Sequence, residues 1–306
     1  MSNTNFYTLN NFLRNRHGEK VMKLSIDGGF TCPNRDGTIG FGGCIFCNDN
    51  GSGTANSALS ITSQMEEQIL SLSTKWGNIN KYIAYFQSYS NTYASVNSLK
   101  LKYETALSYK NIVGLAIGTR PDCLSPEIIT YLSELNSKTH LWVELGLQTI
   151  HNETANFINR GYDLDCFTNA VYELSSKNIE VVAHIILGLP NETREDMLQT
   201  ARFIANLPLQ GVKIHMLHIV NNSPLAKLYE KNPFSLLSQE EYIELVSQIL
   251  QILPKNFVIH RVTGDGEREH LVAPLWTLRK KHVLNEFNNY LRVNNIYQGC
   301  KFPPDF

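Results

Sequence analysis

Residues 32–47 read CPNRDGTIGFGGCIFC, and this stretch decides how the rest of the chain is interpreted. It holds three of the six cysteines of the 306-residue chain, in the spacing C-x11-C-x2-C. Cys44 and Cys47 are close enough in sequence to hold one inorganic centre together, and Cys32 returns to it across a glycine-rich loop. Glycine allows positive φ and close backbone approach, which a chain needs when it wraps around a bulky centre. The stretch therefore predicts a metal centre held by Cys32, Cys44 and Cys47.

The number of thiolates indicates which centre to expect. A structural zinc site normally takes four protein ligands in a closed tetrahedron. Iron–sulfur clusters are also held by cysteine thiolates, commonly four, so a [4Fe-4S] cluster held by three leaves one iron open to a small molecule. We interpret the stretch as a cluster loop; the alternative is a zinc site completed by Cys123 or a histidine. Cys123, Cys166 and Cys300 are scattered, so we expect no second cluster.

The sequence CIFC at the end of this loop resembles the C-x-aromatic-C end of the radical S-adenosylmethionine (SAM) signature. The commonest form of that signature has a much shorter spacing between its first two cysteines than the eleven residues found here. The long spacing resembles the YtqA/YhcC (MnmL-like) radical SAM proteins, relatives of the radical SAM domain of the elongator acetyltransferase. The resemblance continues through YIAYFQSYSNTYA, IGTRPDCL, VELGLQT, NRGYD, HIILGLPNET, KIHMLHIV and APLW.

The resemblance implies that SAM binds the open iron and is cleaved to a 5′-deoxyadenosyl radical, which takes a hydrogen atom from the substrate. The implied substrate is the tRNA wobble uridine, whose 5-carboxymethylaminomethyl side chain is converted to 5-aminomethyl. The implied partners are tRNA, an electron donor such as flavodoxin or ferredoxin, and a downstream tRNA methyltransferase. Two alternatives stay open: a radical SAM enzyme acting on a small biosynthetic intermediate, and a non-enzymatic zinc- or cluster-stabilised RNA-binding module.

The rest of the chain predicts an α/β fold. Apolar runs such as residues 181–187 are typical of parallel strands buried on both faces, and they alternate with amphipathic helices. The predicted strands are residues 21–26, 81–87, 112–119, 141–148, 181–187, 212–220 and 257–262. Repeated βα units indicate parallel strands with outer helices, and the resemblance implies a partial (β/α)6 TIM-type radical SAM barrel. Residues 1–254 are predicted to form this barrel, and residues 255–306 a C-terminal extension packed on it.

In a parallel barrel, functional residues lie at the carboxyl ends of the strands. The resemblance implies that Phe46 lies near the adenine of SAM. Superfamily members often hold the SAM amino group with a Gly-Gly-Glu type motif after the second strand, but residues 86–92 read FQSYSNT here. Gln87, Ser88 or Asn91 could supply those hydrogen bonds. The alternative is an ordinary polar loop between a strand and a helix.

Three further residues are SAM contacts by resemblance to oxygen-independent coproporphyrinogen oxidase. Gln148 and Arg160 have the spacing of a pair that contacts SAM in that enzyme, and the Arg160 guanidinium suits a charge-assisted bond to the SAM carboxylate. His184 occupies the position of an aspartate that contacts the ribose there. For this histidine, a core residue with its hydrogen bonds satisfied is an equal alternative.

Glu144 lies inside the apolar run WVELGLQ, where a carboxylate is unfavourable unless it is paired. We expect it to face the barrel interior near Arg120 or Arg160, either as part of the SAM site or as a structural ion pair. Lys213 and His215 share one strand face, and they would line the cavity if that face points inward. No residue is predicted as a proton or hydrogen donor.

The net charge of −1 provides no global field for a polyanion, so RNA binding would need a local basic patch. The candidate is Arg279, Lys280 and Lys281, with a solvated helix face as the alternative. We see neither a signal peptide nor an apolar run near the ~20 residues of a membrane span. With cysteines that form no disulfide framework, we expect a cytoplasmic protein without membrane contact.

Overall fold

The computed structural model describes residues 5–47, 58–77, 79–264, 266 and 268–302. Its centre is a curled, seven-stranded parallel sheet with strand order β1-β2-β3-β4-β5-β6-β8. The strands are β1 Val21–Ile26, β2 Lys81–Phe86, β3 Ile112–Thr119, β4 His140–Gln148, β5 Glu180–Leu187, β6 Gly211–Met216 and β8 Val258–Arg261. A second sheet pairs β7 Ile219–Val220 with β9 Leu271–Ala273 in antiparallel register. The predicted α/β class and partial barrel are confirmed.

Helices follow the strands in the order that βα units require. They are α1 Leu9–His17, α2 Ile61–Trp76, α3 Val96–Leu107, α4 Pro126–Asn136, α5 Asn152–Phe157, α6 Leu164–Ser176, α7 Arg194–Ala205, α8 Pro224–Lys231, α9 Gln239–Ile252 and α10 Lys280–Val293. The Ser125 side chain caps α4 by accepting from the Ile128 amide, and Ser238 and Glu241 form a reciprocal capping box on α9. These local sequence signals set where the helices begin.

The interior of the barrel is apolar at the amino ends of the strands. Ile83, Trp142 and Val182 pack there with Leu13 of α1, which covers this end. A larger core fills the space between the outer face of the sheet and the helices. Because described side chains fill the amino end, the space for a ligand lies toward the carboxyl ends of the strands, where the cysteine loop follows β1.

Two boundaries differ from the prediction. Residues 212–220 form two strands, because the chain leaves the sheet after Met216 and β7 pairs with β9 instead. The sheet has a seventh strand, β8, which pairs with β6 although it lies inside the predicted extension 255–306. The sheet therefore continues across the proposed division at residue 254. Beyond β8, Phe287 and Leu291 of α10 join the outer core, so this part packs on the barrel.

Candidate active site

A cavity of about 180 Å³ lies at the carboxyl ends of the strands. Cys32, Cys44 and Cys47 line one part of its wall, and polar side chains of the strands line another. The predicted site residues that also line it are Phe46, Gln87, Glu144, Gln148 and His184. The fold therefore brings the cysteine loop and these residues to one cavity.

The cysteine loop is fastened to the segment that follows β4. The Asn34 amide donates to the Asn159 carbonyl oxygen (2.6 Å), and the Asn159 amide donates to the Gly43 carbonyl oxygen (2.7 Å). The Ile45 N–H donates to the Ile158 carbonyl oxygen (3.0 Å). Gly43 has φ +79°, a conformation that side-chain-bearing residues rarely adopt. Residues 158–159 therefore set the shape of the loop that carries Cys44 and Cys47.

The three thiols fit the donor set of an open [4Fe-4S] cluster. A hydrogen bond from Cys47, the nearby Arg120 and Arg160 guanidinium groups and the Asn34 amide outweigh burial and lower the pKa of the Cys44 thiol. The same bond and burial raise the pKa of Cys47 well above its usual range. Thiolate is the form that binds iron. Within residues 5–47, 58–77, 79–264, 266 and 268–302, no three His, Cys, Asp or Glu side chains are placed to hold a single metal ion.

Arg160 is completely buried, and its guanidinium donates hydrogen bonds to backbone carbonyl oxygens. It donates to the carbonyl oxygens of Leu147 (2.8 Å), Thr149 (2.7 Å) and Tyr162 (3.0 and 2.9 Å). These bonds fix the turn in which Gln148 adopts φ +67°. The predicted contact of Arg160 with the SAM carboxylate stays a prediction, and the observed bonds favour a positioning role.

Arg120 is one of three arginines that line the cavity, with Arg35 and Arg261. It forms a two-point ion pair with Asp122 (2.9 and 2.7 Å) and donates to the Arg160 carbonyl oxygen (2.8 Å). Burial opposes its charge, but the hydrogen bonds and charge of Asp122 outweigh burial and raise the pKa of Arg120. Arg120 is thus a permanent cation on the cavity wall, a role that the sequence did not predict.

The three residues predicted as SAM contacts in the loop after β2 lie in different environments. Gln87 lines the cavity. Ser88 and Asn91 are buried, and the Asn91 amide donates to the Gly118 carbonyl oxygen (2.7 Å). Their SAM contacts stay predictions, but the geometry favours the alternative of an ordinary polar loop for these two residues.

Glu144 is the centre of a buried hydrogen-bond network. Its Oε2 accepts from Tyr85 Oη (2.7 Å) and Lys213 Nζ (2.9 Å) and lies 2.7 Å from His184 Nε2. Its Oε1 accepts from Trp142 Nε1 (3.0 Å). Glu144 faces the interior and lines the same cavity as Arg120, but neither Arg120 nor Arg160 is among these hydrogen-bond partners. Its partners come from strands on both sides of β4, and Arg120 pairs with Asp122.

The charges of this network depend on burial and on one another. Burial opposes ionisation of Glu144, but the nearby lysines and His184 hold its pKa well below the usual value. Burial lowers the pKa of Lys213 to about 7, although the Glu144 carboxylate raises it. Burial, with Lys213 nearby, lowers the pKa of His184 to about 4 against the opposing effect of Glu144. At neutral pH these shifts favour the anion of Glu144 and the neutral form of His184, and a pKa of about 7 places the titration of Lys213 near neutrality.

Lys213 and His215 line the cavity, as expected for an inward face of β6. Four contributors to the same interior were not predicted: Lys23, Tyr85, His260 and Arg261. For Lys23 and Tyr85 the available signal was period-two spacing on their strands, whereas His260 and Arg261 are adjacent, so spacing alone would place them on opposite faces of β8.

The predicted basic patch lies where α10 begins. Arg279 and Lys281 are exposed and Lys280 is half-buried, and none of the three is among the described residues that line the cavity. Cations at a helix amino end lie beside the positive pole of the helix dipole, so the local potential there is positive. Contact between this basic patch and RNA stays a prediction. No described helix combines the length and apolar character needed to cross a membrane.

Comparison with known proteins agrees with this architecture. Residues 32–204 match the Radical SAM superfamily model, and residues 209–292 match the Radical_SAM C-terminal domain model. Protein YtqA of Bacillus subtilis (strain 168) is 45% identical over 299 residues, which cover 97% of this chain and 92% of that protein. The tRNA uridine(34) acetyltransferase of Methanocaldococcus jannaschii is 28% identical over 156 residues, 50% of this chain and 28% of that protein.

Among solved structures, the archaeal Methanocaldococcus infernus Elp3 with an N-terminal deletion superimposes with a TM-score of 0.69 at 18% sequence identity. The match covers 91% of this chain and 64% of that one, and it shows a shared fold. The superfamily match includes all three cysteines of the loop, and these residues line the cavity together. The chain belongs to the radical SAM superfamily, whose members are enzymes that use SAM with a [4Fe-4S] cluster.

Proposed function

We propose that this protein is a radical SAM enzyme that acts on the wobble uridine of tRNA and converts a 5-carboxymethylaminomethyl side chain toward 5-aminomethyl. One observation carries the proposal: a single cavity joins the three-cysteine loop to a buried polar interior at the carboxyl ends of the barrel strands. A radical enzyme needs this connection, because the substrate group must reach the site where the radical forms while water is kept out.

The residues that line the cavity would have different roles in the reaction. Cys32, Cys44 and Cys47 would hold the cluster, which with SAM supplies a 5′-deoxyadenosyl radical that can abstract a hydrogen atom. Gln87 and Gln148 offer amide groups beside the loop for polar atoms of SAM. Glu144 cannot act as a freely available base, because both of its oxygens already accept hydrogen bonds from the protein.

Support for tRNA comes from two sources. A protein whose match covers half of this chain is a tRNA uridine(34) acetyltransferase, and the structural neighbour with a TM-score of 0.69 is an Elp3 protein. The exposed cations where α10 begins supply a positive surface for phosphates. The reaction would draw electrons from a donor such as flavodoxin or ferredoxin, and a tRNA methyltransferase would act on its product.

The test combines cofactor chemistry with nucleoside analysis. Anaerobically purified protein should contain about four irons per chain and convert SAM to 5′-deoxyadenosine once reduced. Cys44→Ala should lose the cluster and the activity, whereas the matched control Cys300→Ser, which lies outside the cavity wall, should keep both.

The substrate is tested with tRNA from a deletion strain that has no redundant pathway. We expect 5-carboxymethylaminomethyluridine to accumulate in that tRNA, and the purified enzyme to convert it to 5-aminomethyluridine in vitro. Unchanged wobble nucleosides, with SAM cleavage intact, would refute the tRNA assignment and favour a small-molecule substrate. Stoichiometric zinc without iron would refute the radical chemistry itself.

A further inference from the structure

A polar layer crosses the interior of the barrel beneath the cysteine loop. Each of five strands contributes to it by one inward side chain, and these contributors are Lys23 of β1, Tyr85 of β2, Glu144 of β4, His184 of β5 and Lys213 of β6. On one side lies the apolar plug around Trp142, and on the other lies the cavity. The layer therefore forms the floor of the cavity.

Among the described residues of this floor, cationic side chains outnumber carboxylates. Among the described residues that line the cavity, Glu144 carries the one carboxylate. Lys213 Nζ lies 2.9 Å from it and Lys23 Nζ lies 3.6 Å from it, so two ammonium groups share one anion. Buried charge is unfavourable unless it is compensated, so this floor is suited to receive one more anion.

Lys213 is the group best placed to meet that anion. It is 5% exposed and lines the cavity. Two of its three N–H groups donate to Tyr85 Oη (2.6 Å) and Glu144 Oε2 (2.9 Å). Within the part of the chain that the structure describes, the third N–H has no acceptor. His215 Nε2, on the same face of β6, is also a buried atom without a partner there.

We propose that this polar layer binds a carboxylate carried by the substrate, with Lys213 as its direct partner and with Tyr85 and Glu144 positioning the ammonium group. The inference rests on the proposed function, because the 5-carboxymethylaminomethyl group ends in such a carboxylate. Binding of this anion restores charge balance on the floor. It also favours the protonated state of Lys213, whose pKa burial otherwise lowers to about 7.

The competing occupant is the carboxylate of SAM itself, so the decisive variant must separate the two. Lys213→Met has nearly the same length without the charge, and Glu144 keeps Tyr85, Lys23 and His184 as partners in it. Lys138→Met, an exposed lysine in the turn before β4, is the matched control. Iron content and the dissociation constant for SAM are measured first in all three proteins. An intact cluster with weakened SAM binding in Lys213→Met alone would overturn the proposal, because Lys213 would then serve SAM.

The first experiment compares an anticodon stem-loop RNA carrying 5-carboxymethylaminomethyluridine with the same RNA in which the carboxylate is a primary amide. The wild type should prefer the acid in kcat/KM by about 10-fold to 100-fold, the range expected for a charge-assisted hydrogen bond. Lys213→Met should reduce that ratio to about one, mainly through KM, and Lys138→Met should leave it unchanged. An acid preference that survives in Lys213→Met would overturn the proposal.

The second experiment does not depend on the uridine substrate. Acetate and acetamide are titrated into unreduced holoenzyme with SAM bound, at constant ionic strength, and binding is followed by ligand-observed NMR. Acetate should bind the wild type and Lys138→Met but not Lys213→Met, and acetamide should bind none of them. If acetate binds in this pattern while neither RNA is turned over, the result supports the anion site and refutes the proposed tRNA function. If acetate binds equally well to Lys213→Met, or to none of the three, the anion site falls.

Discussion

The substitution Glu144→Gln tests whether the barrel interior depends on a single buried anion. The side chain keeps its shape and loses its charge, so Lys213 and Lys23 lose the carboxylate that lies 2.9 and 3.6 Å from them. Breaking a buried ion pair by removing one partner typically costs about 3–5 kcal/mol. We expect a value near the lower end, about 3 kcal/mol, because Lys213 can release its proton instead of remaining as an uncompensated cation.

The pH dependence of this loss has a definite sign. The pKa of Lys213 is about 7 with Glu144 present and would fall further without it, since the carboxylate is what raises it. Below pH 7, the native wild type therefore holds a proton that native Glu144→Gln does not hold. The stability difference should be largest in this range and should shrink as pH rises through 7, with a slope of at most about 1.4 kcal/mol per pH unit.

The assay is urea-induced unfolding of anaerobic holoprotein at pH 6, 7, 8 and 9, followed by circular dichroism. Glu173→Gln, an exposed carboxylate on α6, is the matched control and should change the free energy of unfolding by no more than about 0.5 kcal/mol. A Glu144→Gln protein as stable as the wild type at pH 6, or a difference that grows toward pH 9, would refute this account of the network.

Three further predictions concern the loop, the buried arginine and the basic patch. Asn159→Ala removes the hydrogen bond to the Gly43 carbonyl oxygen, worth about 1 kcal/mol, and should loosen the cysteine loop. A chelator should therefore remove iron faster from this variant than from the exposed control Asn156→Ala. Equal rates of iron loss would show that this bond does not hold the loop. Arg160→Lys keeps the charge but cannot reproduce the bonds to three carbonyl oxygens that hold the turn of Gln148, so the melting temperature should fall. SAM binding should weaken no more than it does in Gln148→Ala; a loss of SAM binding without a fall in the melting temperature would establish a direct SAM contact instead. Lys280→Ala with Lys281→Ala should weaken tRNA binding and lower the salt-dependence slope by about two, without a change in iron content; an unaltered slope would place the RNA contact elsewhere.

The sequence alone determined the local features of this protein. Buried parallel strands appear as short apolar runs, so β1 to β5 and β8 were predicted within one residue of their observed bounds, whereas β6 was predicted to continue past its end. The cysteine loop could also be predicted, because ligands that are close in sequence can be recognised without knowledge of the fold. Residues 212–220 were read as one strand because apolar character continues past Met216, and composition does not record that hydrogen bonding to the sheet ends there.

Only the tertiary structure decided which groups meet. The spacing along a strand tells which face a side chain occupies, but not which residue on another strand stands beside it. Glu144 was therefore expected near Arg120 or Arg160, whereas the curl of the sheet brings Tyr85 and Lys213, 59 and 69 residues away in sequence, to its carboxylate. Arg160 likewise carries a charge that suits a ligand, yet in the folded chain backbone carbonyl groups surround it. The physical reason is the same in both cases: partners of a buried charge are set by packing across the barrel, and packing depends on contacts between residues far apart in the chain.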